Sequence, residues 1–283
     1  MNATEIVGAL SSPEVPDNTS RLTQLAQDPI SFGSCGELYL ASCGGGEVAV
    51  KTFRVFLARG TVSEHLLQAA SDELLVWRRL RHRNILLLLG VACFLGQPAL
   101  VTPLVRFGNL ADFRREHSFD WLGMCTQVAD AVTYLHDNGI PHGDIRAENV
   151  LVSAHGQVKL TGFTPMLWQL ASHYTNGTDY ATLFLRWMAP EILQGFTRKS
   201  PAGDVYALGL TILEIITGQV PFSEWSDQEI LNIIIIRRAT PTRPQALNSD
   251  NRFWALLIRC WDRNPSSRPL AADVYEELRA MLQ

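Results

Sequence analysis

The feature that most constrains the fold is a change of hydrophobic period partway along the chain. From about Asp28 to Phe53 the apolar residues come in short alternations broken by glycine, ISFGSCGELYLASCGGGEVAVKTF. Alternation at period two sets one face of a strand on a core and the other toward solvent. Glu47–Phe53 is such a run and Cys43–Gly46 supplies a turn before it, so two or three antiparallel strands are expected. A helical stretch follows, with Leu66, Leu67, Ala70, Leu74, Trp77 and Leu80 on one face. Two more strand-like runs come next, Ile85–Cys93 and Ala99–Val105. After Gly108 the spacing is helical almost to the end. Trp121, Met124, Val128, Ala131 and Leu135 form one stripe and Val205, Leu208, Ile212 and Ile215 another, and a last helix starts near Leu270 with Val274, Leu278 and Met281 inward. Strands grouped before helices make an α+β fold. The expected organisation is a polar, mobile tail at 1–20, a small antiparallel-sheet lobe with one long helix at 21–105, and a larger helical lobe at 106–283.

Composition narrows the function. The 283 residues, 47% hydrophobic, suffice for a large core in two lobes. A net charge of −4 gives no general attraction to nucleic acid or to anionic lipid, so neither is expected as a partner. The five cysteines follow no metal-ligand spacing and are odd in number, which fits reduced thiols and a cytoplasmic location. Met1–Ser20 has neither the basic start nor the long apolar core of a signal peptide. The apolar runs Ile85–Leu95 and Ile233–Ile236 are too short to cross a bilayer, so no membrane insertion is expected. The Asn-x-Ser/Thr triplets at Asn2, Asn18 and Asn176 need a secretory route that nothing else supports.

Three stretches carry chemistry. Ser31-Phe32-Gly33-Ser34-Cys35-Gly36 is a glycine hairpin of the kind that lets backbone N–H groups approach phosphates, although two glycines in a hairpin are most often only a turn. Lys51 ends the strand run VAVK, and Glu73 lies on the following helix, where a Lys–Glu pair would hold an ammonium for phosphate oxygens. In HGDIRAEN, Asp144 stands five residues before Asn149 between apolar segments, which would set a potential base beside a metal-ligand amide, although each residue singly could be turn chemistry.

In this order, with RWMAPE (Arg186–Glu191), DVYALG (Asp204–Gly209) and CW…NPSSRP (Cys260–Pro269), the motifs resemble the protein kinase domain over roughly Asp28 to Gln283. RWMAPE and LRHRNILLLLG look like the tyrosine-kinase-like group. HGD and the VWRRLRHRNI phrasing are similar to kinase domains of mushroom-forming fungi. The resemblance implies a bilobal fold with ATP between the lobes and Mg2+ as cofactor. It makes Lys51, Glu73 and Asp144 the catalytic set and Asn149 a magnesium ligand. Ser31, Gly33 and Gly36 would cover the phosphates, and Leu38, Ala49 and Leu151 would enclose adenine. Thr102 would gate the back pocket, with Pro103, Leu104 and Val105 as hinge. His142, Phe163 and Trp77 would form a hydrophobic column anchored on Asp204, and Glu191 with Arg268 a buried structural ion pair.

The chain departs from the family where a metal carboxylate belongs. It reads Gly162-Phe163-Thr164 in place of Asp-Phe-Gly. Ser31 replaces the first glycine of the loop, Phe184 stands where neither substrate class is signalled, and Gly143 replaces the arginine that pairs with an activation-segment phosphate. Glu148 and Asp179 are the nearest candidate carboxylates in sequence. Adenine- and phosphate-side residues are kept while metal-side residues are lost. The reading is a pseudokinase that binds ATP, with Mg2+ weak or absent, and acts in intracellular signalling on a protein substrate or partner. The alternative is an active ATP-dependent serine/threonine or tyrosine kinase. A purely structural domain would need a filled adenine pocket, which small Ala49 and Thr102 argue against.

Overall fold

The computed structural model describes residues 2–33, 36–53, 64–163, 185–196 and 199–283, with the side chain of Leu66 outside the description. These residues fall into two compact units. The first holds residues up to Arg81, Leu86–Val105 and Phe163; the second holds His82–Ile85, Arg106–Gly162 and the chain from 185 onward.

The first unit is built on an antiparallel sheet. Its strands are β1 (Leu22–Gln24), β2 (Ser31–Gly33), β3 (Gly36–Cys43), β4 (Gly46–Thr52), β5 (Gly90–Phe94) and β6 (Gln97–Pro103), in the order β1-β3-β4-β6-β5 with β2 paired to β3. The alternation expected over Glu47–Phe53 is real. Tyr39, Ala41, Val48, Val50, Ala92, Phe94, Ala99 and Val101 pack together as a buried cluster, and the residues between them on β3 and β4 point the other way. The expected helix is α2 (Glu64–Arg79), which buries Leu67, Ala70, Leu74 and Trp77.

Two expectations for this unit are corrected. The segment 1–20 is not a mobile tail. Residues Ala3–Leu10 form a helix, α1, capped reciprocally by Asn2 and Glu5, with Ile6, Val7 and Leu10 essentially inaccessible to solvent. Three apolar residues at helical spacing suffice to dock it, although the surrounding composition is polar. The strand expected over Ile85–Cys93 begins only at Gly90. Ile85, Leu86 and Leu88 are buried in irregular chain while Leu87 is exposed, so the first part of the run is apolar because these three side chains are enclosed, not because it is extended.

The second unit is helical apart from a two-stranded sheet, β7 (Val150–Val152) with β8 (Val158–Leu160), that the helical reading past Gly108 did not foresee. Its helices are α3 (Leu110–Glu116), α4 (Trp121–Asp137), α5 (Pro190–Leu193), α6 (Pro201–Thr217), α7 (Asn251–Cys260) and α8 (Ala271–Met281). The run Ile233–Ile236 lies in a π-helical turn, Asn232–Ile236, with Ile233 and Ile234 in the core and Ile236 exposed. Helix α6 is the centre of the unit. Ser200 caps its start, with Pro201 at the first helical position, and nearly every residue from Gly203 to Ile215 is buried. Its last carbonyls would be orphaned there. Arg114 donates to Ile215 O at 2.7 Å and to Ile216 O at 2.6 Å, supplying hydrogen bonds and a positive charge at the negative end of the helix dipole.

Candidate active site

In the first unit, pair register decides which residues share a face. Ser31 lies opposite Leu38 and Gly33 opposite Gly36. Leu38 lies opposite Lys51 and Leu40 opposite Ala49. Ala49 lies opposite Thr102 and Lys51 opposite Leu100. Partners in an antiparallel ladder point to the same side. Ser31, Gly33, Gly36, Leu38, Ala49, Lys51 and Thr102 are therefore placed on one face, the reverse of the apolar cluster. Leu104 and Val105, half-buried, follow directly from β6. Glu73 lies midway along α2 and is half-buried. Of the column expected from His142, Phe163 and Trp77, the first unit shows Trp77 and Phe163 as a tilted ring pair at 5.5 Å, and Trp77 Nε1 donates to Leu86 O at 2.7 Å.

In the second unit, the loop 142–149 is held from below by polar side chains on α6. Asp204 accepts from the backbone N–H of His142 (2.7 Å) and of Gly143 (2.8 Å). Thr211 Oγ1 donates to Ile145 O at 3.0 Å, and Glu214 accepts from Ala147 N at 3.1 Å. Spacings of seven and three residues set these three on one side of the helix. Their chemistry is otherwise out of place in a buried apolar run; Asp204 answers two backbone groups of the loop, and Thr211 and Glu214 one each. Burial pushes the Glu214 carboxyl up to about 7, against the opposing pull of its bonds from Ala147 N and from Trp187 Nε1 at 3.0 Å.

His142 is buried, and desolvation lowers its pKa so that the neutral ring prevails. The hydrogen bonds assign its tautomer: Nε2–H donates to Thr161 O at 2.9 Å and Nδ1 accepts from Asp144 N at 3.1 Å. One ring thus ties Asp144 to the residue preceding Gly162. Asn149 Nδ2 donates to Asp144 O at 2.8 Å and to Asp144 Oδ2 at 2.7 Å, so the expected base and the expected ligand meet. Leu151 sits on β7 opposite Lys159, with Asn109 bridged to it.

Arg146 is the residue that the sequence reading missed. Its side chain is buried, with Nε 3.1 Å from Asp144 Oδ1, NH1 2.8 Å from Glu148 Oε2, and the guanidinium 6.0 Å from the centre of the Trp187 ring. Glu148 is therefore an ion-pair partner of Arg146, more than half exposed, and not a replacement metal carboxylate. The signal was present as a basic residue between two acids in Asp-Ile-Arg-Ala-Glu. Glu214 had a signal too, as the lone acid in ALGLTILEIITG. Asp179, Thr164 and Phe184, with Ser34 and Cys35 of the glycine loop, lie outside the described residues.

Gly162 is more than a missing carboxylate. Its φ is +96°, and a Cβ added there would lie 2.7 Å from Asn149 Nδ2 and 2.8 Å from Asn149 Cγ. The space beside the backbone is occupied by the amide that binds Asp144. Magnesium takes oxygens in near-octahedral geometry, commonly from one or two carboxylates. At this point the described residues offer the Asn149 amide and an Asp144 carboxylate engaged by Asn149 and Arg146. Among the described residues no three His, Cys, Asp or Glu side chains gather to hold a metal. Among the described residues, the donors that could hold magnesium here are therefore one amide and one carboxylate.

A sheet face bearing a glycine hairpin and a strand lysine, together with a helical unit presenting Asp144 and Asn149 on a loop anchored by a buried helix, defines a protein kinase domain of α+β architecture. The chain belongs to the family described as protein tyrosine and serine/threonine kinase, whose model matches residues 26–278. It is similar to the serine/threonine-protein kinase STY17 of Arabidopsis thaliana, 27% identical over 259 residues that cover 90% of this chain and 44% of the relative. It is also similar to mitogen-activated protein kinase kinase kinase 1 of the same plant, 31% identical, covering 93% of this chain and 43% of the relative. The dual specificity protein kinase shkD of Dictyostelium discoideum is 29% identical, covering 97% of this chain and 36% of the relative. The chain thus spans less than half the length of these relatives. Among the described residues no helix is long and apolar enough to cross a membrane.

Proposed function

We propose that this kinase domain is a pseudokinase of cytoplasmic signalling. It binds ATP with little dependence on magnesium, engages a protein partner, and transfers phosphate weakly or not at all. The observation that carries this reading is Gly162: no carboxylate stands at the metal position, and the room for one is filled by Asn149. Phosphoryl transfer consists largely of positioning and charge neutralisation, so a lost metal ligand weighs on rate before it weighs on adenine binding. Removal of one preorganised electrostatic contact costs about 10²–10³ in rate. Nucleotide binding is supported by the shared face of Gly33, Gly36, Leu38, Ala49, Lys51 and Thr102. The HGD and VWRRLRHRNI wording supports a place beside fungal members of the tyrosine-kinase-like group.

The test is radiolabelled phosphate transfer onto the chain itself and onto a generic protein, run beside Asp144→Asn, with ATP-induced thermal shifts in EDTA and in magnesium. The expected result is no transfer above the Asp144→Asn blank and similar shifts in both buffers. Transfer that vanishes in Asp144→Asn would overturn the reading. It would favour the second one, an active serine/threonine or tyrosine kinase with a compensated metal site. The pairing of Asp144 with Asn149 at 2.7 Å is the observation on that side.

A further inference from the structure

The stretch 2–19 lies outside the family match, which begins at residue 26, yet it is bound into the first unit along its whole length. Helix α1 packs against α2 and against β5 and β6, with Ile6, Val7 and Leu10 as its buried face. Beyond it Val15 is fully buried, and Glu14 grips the last turn of α2. The Glu14 carboxylate accepts from Arg79 Nε at 2.8 Å and from Arg79 NH2 at 2.7 Å, and the Glu14 carbonyl accepts from Arg78 Nε at 3.0 Å.

The chain then runs along β5, an outer strand of the sheet, with a parallel bridge between Asp17 and Val91. Val91 N donates to Pro16 O at 3.0 Å, Asn18 N donates to Val91 O at 2.8 Å, and Cys93 N donates to Thr19 Oγ1 at 2.8 Å. Gly90 makes this approach possible, because a Cβ there would lie 2.2 Å from Pro16 O. One end of the segment is therefore fastened to the sheet and the other to α2.

We propose that residues 2–19 are an intramolecular clamp that fixes α2 against the sheet, so that release of the segment loosens the helix carrying Glu73. A helix held only by its own amphipathic face opens locally more readily than one also gripped at its last turn. The segment adds to α2 a second apolar contact and a charged one at Arg78 and Arg79. Its consequence for ATP, through Glu73, rests on the nucleotide-binding reading above; its mechanical effect on α2 does not.

Amide hydrogen exchange on the full chain tests the clamp without nucleotide, using two variants that act from opposite sides. Leu10→Asp places a charge in the buried face of α1, and Gly90→Ala blocks the seat of Pro16 from the sheet. Both are expected to speed exchange in Glu64–Arg79 roughly tenfold while β3, β4 and α4 keep their protection. Unchanged exchange in α2 in both variants would overturn the proposal. So would uniform loosening of the whole chain, which would make the segment ordinary core. ATP-induced thermal shifts on the same variants separate the two claims. Faster α2 exchange with an unchanged shift leaves the clamp standing and removes its link to nucleotide.

Discussion

An aspartate at 162 would put a carboxylate where this chain carries glycine, and the structure predicts that it destabilises the loop. The backbone at φ +96° suits glycine. For other residues such conformations cost about 1–3 kcal/mol, with Asp among the better tolerated. A Cβ at 2.7 Å from Asn149 Nδ2 cannot coexist with that amide, so Asn149 must move. Moving it breaks the bonds to Asp144 O and Oδ2, at 2.8 and 2.7 Å, the second of them to a charged group. Bonds of that kind contribute about 1.5–3 kcal/mol. The sum, about 2.5–6 kcal/mol, corresponds at about 2 °C per kcal/mol to a fall of about 5–12 °C in Tm. Thermal unfolding of purified Gly162→Ala and Gly162→Asp, followed by circular dichroism, measures it. Alanine reports the steric cost alone, and aspartate should fall at the lower end of the range. If both variants melt within about 1 °C of the parent, the steric argument is wrong. Gly162 would then be only a lost carboxylate in open space.

Other outcomes follow from the same geometry. Arg268→Ala removes a guanidinium that is almost wholly buried and bonded to Glu191 at 2.7 and 2.9 Å, to Ala202 O and to Asp262 O. The stranded Glu191 should cost about 3–5 kcal/mol in denaturant unfolding, and a loss below 1 kcal/mol would contradict a structural role. Glu214 has a pKa of about 7 in the fold against an ordinary 4.5, so its contribution to stability is fully present below pH 4.5 and is lost as the pH rises to 7. The difference amounts to about 3 kcal/mol. Glu214→Gln should remove that decline, and parallel stability–pH curves for the two proteins between pH 5 and 8 would refute it. Lys51→Met should abolish the thermal shift produced by ATP, and an undiminished shift would take Lys51 out of the nucleotide site.

Much of this was readable in the residues themselves. Helices α4 and α6 follow from apolar spacing that only a 3.6-residue period satisfies, and β3 and β4 from alternation around Cys43–Gly46. The loss of the carboxylate at Gly162 is a matter of residue identity and needs no coordinates. Such signals are local, because neighbours along the chain fix the period and the turn chemistry. What surrounds each element is set by partners far away in sequence. Three apolar residues in a polar stretch could not reveal that α1 docks on α2. The run Ile85–Leu89 looked like a strand because burial of Ile85, Leu86 and Leu88 in irregular chain and pairing in a sheet both select apolar residues. Ladder register, not composition, puts Lys51, Ala49 and Thr102 on one face. Only packing shows that Arg146 lies between two carboxylates against Trp187, or that Asn149 fills the room beside Gly162. The sequence alone determined the kinase class and that no carboxylate stands at 162. The tertiary structure decided that the gap is closed, because that depends on an amide thirteen residues away being held there by Asp144.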